Sequence, residues 1–276
     1  MKYGINTLLW SAGFDASHLD LLPRFKAMGF DGVEIARFRF DDCPAAPLRK
    51  AAEANELEVI ACSALTGELS LATDQAPAAI EFLRGAIRWA AEAGAETLVG
   101  PFCSPVGYLP GRRRTKDEWN RVVDGLQSLA PVLRETGVSL GIEPLNRFET
   151  FFLNTAEDAA ALCDAVGDPH VGILFDTFHA NIEEKHLGAA LMTVGRHLKH
   201  VHTCENDRGT PGSGHVAWPE VFRALKALNY DGWLVIESFG AAIPEIAAAA
   251  CIWRDLAPSA DAIAREGLTF LKHGLH

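Results

Sequence analysis

The chain has 276 residues, 49% of them hydrophobic, and a formal charge of −11 at pH 7. This is apolar material enough for a sizeable core, and a field that repels polyanions and argues against a nucleic-acid partner. The longest nearly unbroken apolar run, IAAAACIW at 246–253, is far too short to span a bilayer, and MKYGINTLLW at the start lacks a signal-peptide pattern, so a cytoplasmic protein without membrane contact is expected.

Taken in chain order, short β-rich runs recur at 3–10, 32–37, 58–65, 97–102, 139–144, 171–177, 198–204 and 231–238. Between them lie stretches of helical period such as IEFLRGAIRWAAEAG and WNRVVDGLQSLAPVLRETG, many closing on Lys, Arg or Gly as helix ends prefer. Apolar strands separated by helices call for a parallel sheet buried on both faces. Eight such units of about 34 residues each fit one (β/α)8 TIM barrel covering residues 1–276, an α/β fold. A doubly wound open sheet would want a G-x-G-x-x-G or P-loop after the first strand, and neither is there. Six cysteines without a C-x-x-C pair read as small core residues of a reducing compartment. The Pro-, Gly- and Arg-rich stretch from Gly100 to Thr115 is the longest irregular segment and a candidate lid.

Four of the apolar runs end on an ionisable residue: Glu143 in SLGIEP, Asp176 in GILFDT, His202 in KHVHTC and Glu237 in LVIES. They lie 33, 26 and 35 residues apart, roughly one βα unit each, which puts them at the C-terminal ends of adjacent strands five to eight. In a barrel those ends share one mouth, where catalytic groups gather. Three ionised carboxylates cannot share that volume without a compensating positive charge. A divalent cation supplies it, and three acids with one nitrogen suit Mn²⁺, Mg²⁺ or Co²⁺ better than Zn²⁺. Pro144, which has no N–H, stops the ladder and leaves Glu143 at the rim. His200 points the same way as His202 but one layer deeper, and is read as packed core.

With these residues in place, IEPLNRFE, FDTFHANIEE, HVHTCENDRG and IWRDL resemble the ketose 3-epimerases of the xylose-isomerase-like barrels over nearly the whole chain. The resemblance implies a metal held by Glu143, Asp176, His202 and Glu237, usually Mn²⁺ or Co²⁺, the same set that the spacing gives. It also implies three substrate-holding residues, Glu149, His179 and Arg208. Some relatives carry a Trp in the loop after the fourth strand, where this chain has GPFCSPVGYLPGRRR; Tyr108 is the large polar aromatic there and becomes a candidate sugar contact. Trp10 and Phe38, at the ends of strands one and two, are candidates for an apolar wall.

The implied reaction inverts C3 of a free 2-ketose (tagatose/sorbose, fructose/psicose or ribulose/xylulose) through an enediolate, with Glu143 and Glu237 as the proton-transfer pair. One cation per subunit, a ketose substrate and a homodimer or homotetramer are the expected partners. Three alternatives use the same residues differently: an aldose-ketose isomerase moving hydrogen between C1 and C2, a sugar-phosphate epimerase reading phosphate with Arg112 to Arg114, and a sugar-binding protein without turnover. A metal-dependent phosphodiesterase would want more His and a basic surface.

Overall fold

In the computed structural model, which describes residues 1–40 and 43–275, all eight expected strands form: β1 (Lys2–Asn6), β2 (Gly32–Ala36), β3 (Glu58–Cys62), β4 (Thr97–Gly100), β5 (Ser139–Ile142), β6 (Val171–Asp176), β7 (Leu198–Thr203) and β8 (Trp233–Ile236). They pair in parallel in sequence order and close into a barrel, with β8 returning to β1 from Lys2↔Trp233 to Ile5↔Ile236. Helices fill the connections, among them Leu21–Met28, Ala45–Ala54, Ala76–Glu92, Lys116–Gln127, Ala156–Val166, Trp218–Ala227 and Ala260–Leu275. No helix among the described residues is long and apolar enough to cross a membrane.

The two phases of each strand enter different layers, as a period of two requires. Ile5, Val33, Ile35, Leu140, Ile142, Ile173, Val201 and Leu234 belong to the large core between sheet and helices. Leu8, Ala36, Cys62, Val99 and Leu174 form a smaller cluster with Phe239. Of the cysteines, five are buried and unpaired, as expected for core residues, and Cys251 is exposed.

Strand ends depart from expectation where local chemistry stops the ladder. The first strand was expected to run from 3 to 10, but the side chain of Asn6 accepts the N–H of Leu8 at 2.8 Å and turns Thr7–Leu9 into a 3-10 turn. At the end of β4, Gly100 has φ 141° and its carbonyl accepts the N–H of Glu143 at 3.0 Å. A Cβ there would drive into the carbonyl oxygen of Ser63, so this close approach requires glycine. Register then aligns the strand ends around the mouth: Ile142 pairs with Ile173, Asp176 with His202, and Thr203 with Ile236.

Candidate active site

Glu143, Asp176, His202 and Glu237 are all buried, and one oxygen or nitrogen from each lies within 4.8 Å of the others. Nδ1 of His202 is 3.2 Å from Oε2 of Glu237 and 3.8 Å from Oε1 of Glu143. Burial pushes the Glu143 carboxyl up to about 8, against the His202 imidazole and with the Glu237 charge adding to the rise. Burial likewise raises Asp176, although the guanidinium of Arg208 opposes the shift. For His202 burial acts downward, but the carboxylates of Glu237 and Glu34 hold it well above its ordinary value.

Two atoms in this cluster, Oε1 of Glu143 and Nδ1 of His202, are buried and have no hydrogen-bond partner among the described residues. Buried polar atoms left without partners are costly, and a cation that displaces the proton of His202 would meet both of these at once. Three carboxylates and one imidazole nitrogen converging on one small volume form a donor set that fits a hard divalent cation.

The loops that follow the strands place the remaining groups. Asp176 caps the helix Thr177–Glu183 by accepting the N–H of Phe178 through Oδ1 at 2.7 Å, which leaves Oδ2 facing the mouth. Three residues on, His179 is buried and lies between two donors. The main-chain N–H of Asn146 meets its Nδ1 at 3.1 Å, and Nη2 of Arg208 meets its Nε2 at 2.9 Å. Burial, Arg208 and His202 all hold this imidazole well below its ordinary value, so it is neutral and accepts at one nitrogen only. Both ring nitrogens therefore face donors, and the ring satisfies one of them at a time. Nε2 and the guanidinium of Arg208 line the pocket side by side, placed to meet a substrate oxygen.

Arg208 adopts a left-handed backbone, φ 68°, in a loop held by the fully buried Glu205. Glu205 accepts from the main-chain N–H groups of Gly212 and Val216 and from the indole of Trp218, at 2.8 to 2.9 Å. The guanidinium donates from Nη1 to Asp176 at 2.8 Å and to Glu237 at 3.1 Å, and lies over the rings of Phe178 and Phe239. Glu149 is partly buried at the rim, where Nδ2 of Asn146 donates to it at 2.8 Å.

These groups open into a pocket of about 260 Å³ whose polar side is Glu143, Glu149, His179, Arg208 and Glu237 and whose apolar side includes Leu8, Phe38, Val106 and Ile246. Phe38 thus stands on the wall where it was expected. Trp10 does not: the 3-10 turn at Thr7–Leu9 swings it outward, so that its ring meets Phe25 at 4.7 Å and its indole donates to Asp261, while Leu8 takes the wall position. Tyr108 is also displaced from the expected contact. Its ring meets Phe151 edge-on, it is 42% exposed, and Val106 from the same loop lines the pocket instead. The loop is tied across the rim by Gly107, whose N–H donates to the carbonyl of Glu149 at 2.7 Å. Arg112 and Arg114, considered as phosphate readers, hold Glu118 and Asp158 in bidentate pairs and do not line the pocket.

Three buried residues escaped the sequence reading. Glu34 lies midway along β2, and Asn6 and Asn146 join the groups above to one another. A charge in the middle of the apolar run GVEIA was a usable signal for Glu34, since a buried carboxylate must be partnered. Nothing local marks Asn146. His200 is fully buried, in keeping with its reading as core, but its Nε2 lies 2.8 Å from Glu34 rather than in purely apolar surroundings.

Known proteins resemble this chain over nearly its full length. The family model described as a xylose isomerase-like TIM barrel matches residues 22–273. A probable ketose 3-epimerase of Synechocystis sp. is 39% identical, over 99% of this chain and 96% of its own length. The D-psicose 3-epimerase of Agrobacterium fabrum is 32% identical over 95% of this chain and 93% of its own. Among solved structures, a D-psicose 3-epimerase determined in the presence of D-fructose is 31% identical and superposes with a TM-score of 0.93, covering 100% of this chain and 99% of that one.

Proposed function

This chain belongs to the xylose isomerase-like TIM barrels and within them to the ketose 3-epimerases, and from that premise we propose that it inverts C3 of free 2-ketoses with one divalent cation held by Glu143, Asp176, His202 and Glu237. The observation that carries this reading is the meeting of those four side chains at the barrel mouth, with Oε1 of Glu143 and Nδ1 of His202 left without partners. Mn²⁺ suits the donor set, with Co²⁺ and Mg²⁺ as substitutes. When bound, such a cation supplies Lewis-acid stabilisation of the negative charge that develops beside the ketose carbonyl.

The chain's own residues supply the rest. Inversion at C3 needs one base to take the proton from one face of the sugar and one acid to return a proton to the other. Glu143 follows β5 and Glu237 follows β8, so they approach the pocket from different strands. One of them breaks the C3–H bond by accepting its proton, which leaves an enediolate; the other donates a proton to the opposite face of C3. The reverse reaction exchanges their roles. Each contributes on the order of 10² to 10⁴ in rate as a general acid or base. Nε2 of His179 and the guanidinium of Arg208, side by side on the pocket wall, anchor the oxygen at the C1–C2 end, and Glu149 accepts a hydroxyl hydrogen bond. Their contribution is orientation of C3 between the two glutamates.

Several features favour a free sugar over a phosphorylated one. Arg112 and Arg114 are committed to Glu118 and Asp158, and Arg208, the guanidinium on the pocket wall, already faces two carboxylates. The test is a panel of free and phosphorylated ketoses with Mn²⁺ in D₂O. Deuterium at C3 of a free ketose is expected; deuterium at C1 would assign an aldose-ketose isomerase instead, and turnover confined to phosphorylated sugars would refute the substrate class.

A further inference from the structure

Beneath the four mouth residues lies a second, fully enclosed polar group to which the proposed reaction gives no part. Glu34 projects from the middle of β2 and is completely buried, as are His200 and His202 beside it. A carboxylate so placed is costly to keep unless it is tightly partnered. Its partners are specific. Oε1 lies 2.8 Å from Nε2 of His202 and accepts from Nδ2 of Asn6 at 2.6 Å; Oε2 lies 2.8 Å from Nε2 of His200. Asn6 pairs with Glu34 across β1 and β2, and its own oxygen is fixed by the N–H of Leu8, so its amide nitrogen has a set direction. Asn6 therefore holds Oε1 before His202 meets it, while His200 lies against Oε2 outside hydrogen-bond geometry.

We propose that Glu34 is a positioning residue that fixes the tautomer and ring orientation of His202, accepting Nε2–H so that the lone pair of Nδ1 is presented to the cation. The inference rests on the functional reading above and deepens it. Nδ1 is the atom that lies 3.2 Å from Glu237 and 3.8 Å from Glu143, on the side of the ring away from Glu34. A histidine that holds a metal through one nitrogen gains both orientation and basicity from a carboxylate on the other. Asn6 extends the same control, since its Nδ2 also reaches Oε1 of Glu237 at 3.4 Å and so ties two mouth residues to one floor.

A merely structural ion pair at this place would alter folding and leave the affinity of folded protein for a cation unchanged. Binding of Mn²⁺ alone, measured by calorimetry on purified folded protein, separates the two. Glu34→Gln removes the charge and keeps the shape; Glu34→Asp keeps the charge and shortens the reach. Both are expected to weaken Mn²⁺ binding by about 10- to 100-fold, and to change the visible absorption of the Co²⁺-loaded protein. Wild-type affinity and an unaltered Co²⁺ spectrum in both variants would overturn the proposal. Should neither variant fold, ring-nitrogen NMR of the Mg²⁺-loaded wild type decides: a proton on Nε2 of His202 is expected, and a proton on Nδ1 overturns the assignment. A wild type that binds no Mn²⁺ would sink the functional reading together with this one, whereas normal wild-type binding with unaffected variants would sink this one alone.

Discussion

The main-chain N–H of Asn146 meets Nδ1 of His179 at 3.1 Å, which turns the other ring nitrogen, Nε2, to within 2.9 Å of Nη2 of Arg208 and 3.6 Å of Glu143. A loop after β5 thereby orients a side chain on the helix after β6. The ring presents Nε2 to the pocket beside the guanidinium of Arg208.

His179→Ala should therefore lower kcat/KM for a ketohexose by about 10- to 100-fold, the loss expected when a buried polar group in contact with the substrate is deleted. His179→Gln, which can present an amide N–H to the same point, should lose less. Steady-state kinetics with Mn²⁺ checks both, and an alanine variant with unchanged kcat/KM would contradict the assigned role.

Glu143→Gln and Glu237→Gln should each reduce turnover by at least about 10²-fold even at saturating Mn²⁺, because each removes one of the two groups that exchange the C3 proton. Exchange of the C3 proton with D₂O should fall in parallel. Stripping wild-type protein with EDTA should abolish activity, and added Mn²⁺ should restore it. Undiminished turnover after stripping, or full activity in either glutamine variant, would be incompatible with the proposed chemistry.

Glu118 gives a prediction about stability. Hydrogen bonds from Arg112 hold its carboxyl at about 2, against burial that acts upward, and the N–H of Thr115 assists. A folded-state value below the unfolded one means stability that is fully present above the unfolded value of 4.5 and is lost as pH falls through the folded value near 2. Glu118→Gln preserves the capping-box geometry with Thr115 but not the charge. It should cost about 1 kcal/mol near neutral pH, the exposed Arg112 limiting the effect, and the cost should fade as pH drops below the folded value near 2. Urea unfolding across that range reads the difference directly.

Gly100→Ala should destabilise the fold by about 3 kcal/mol, since φ 141° and the adjacent carbonyl of Ser63 leave no room for a Cβ. Because the carbonyl of Gly100 holds the N–H of Glu143, the variant should also lose activity beyond its loss of folded protein. Thermal melts and specific activity per folded molecule separate the two effects. An alanine variant with wild-type melting behaviour would show that the backbone relaxes there at little cost.

What the sequence determined by itself was whatever repeats locally. Eight apolar runs alternating with helical stretches dictate eight βα units, because strand and helix periods are properties of neighbouring residues. A carboxylate or imidazole closing four successive runs places Glu143, Asp176, His202 and Glu237 at one end of the barrel, because parallel strands all finish on the same side. Tertiary structure decided the contacts that join distant segments. Glu34 and His202 are 168 residues apart and meet only because closure faces β2 toward β7 across the barrel interior. Asn146 reaches His179 through loops whose paths no local pattern specifies, and a single side-chain cap at Asn6 turned Trp10 away from the pocket and put Leu8 in its place. Periodicity fixes which face of a strand a residue occupies; which side chain it touches on that face depends on register, loop path and rotamer, and these are set only once the sheet has closed.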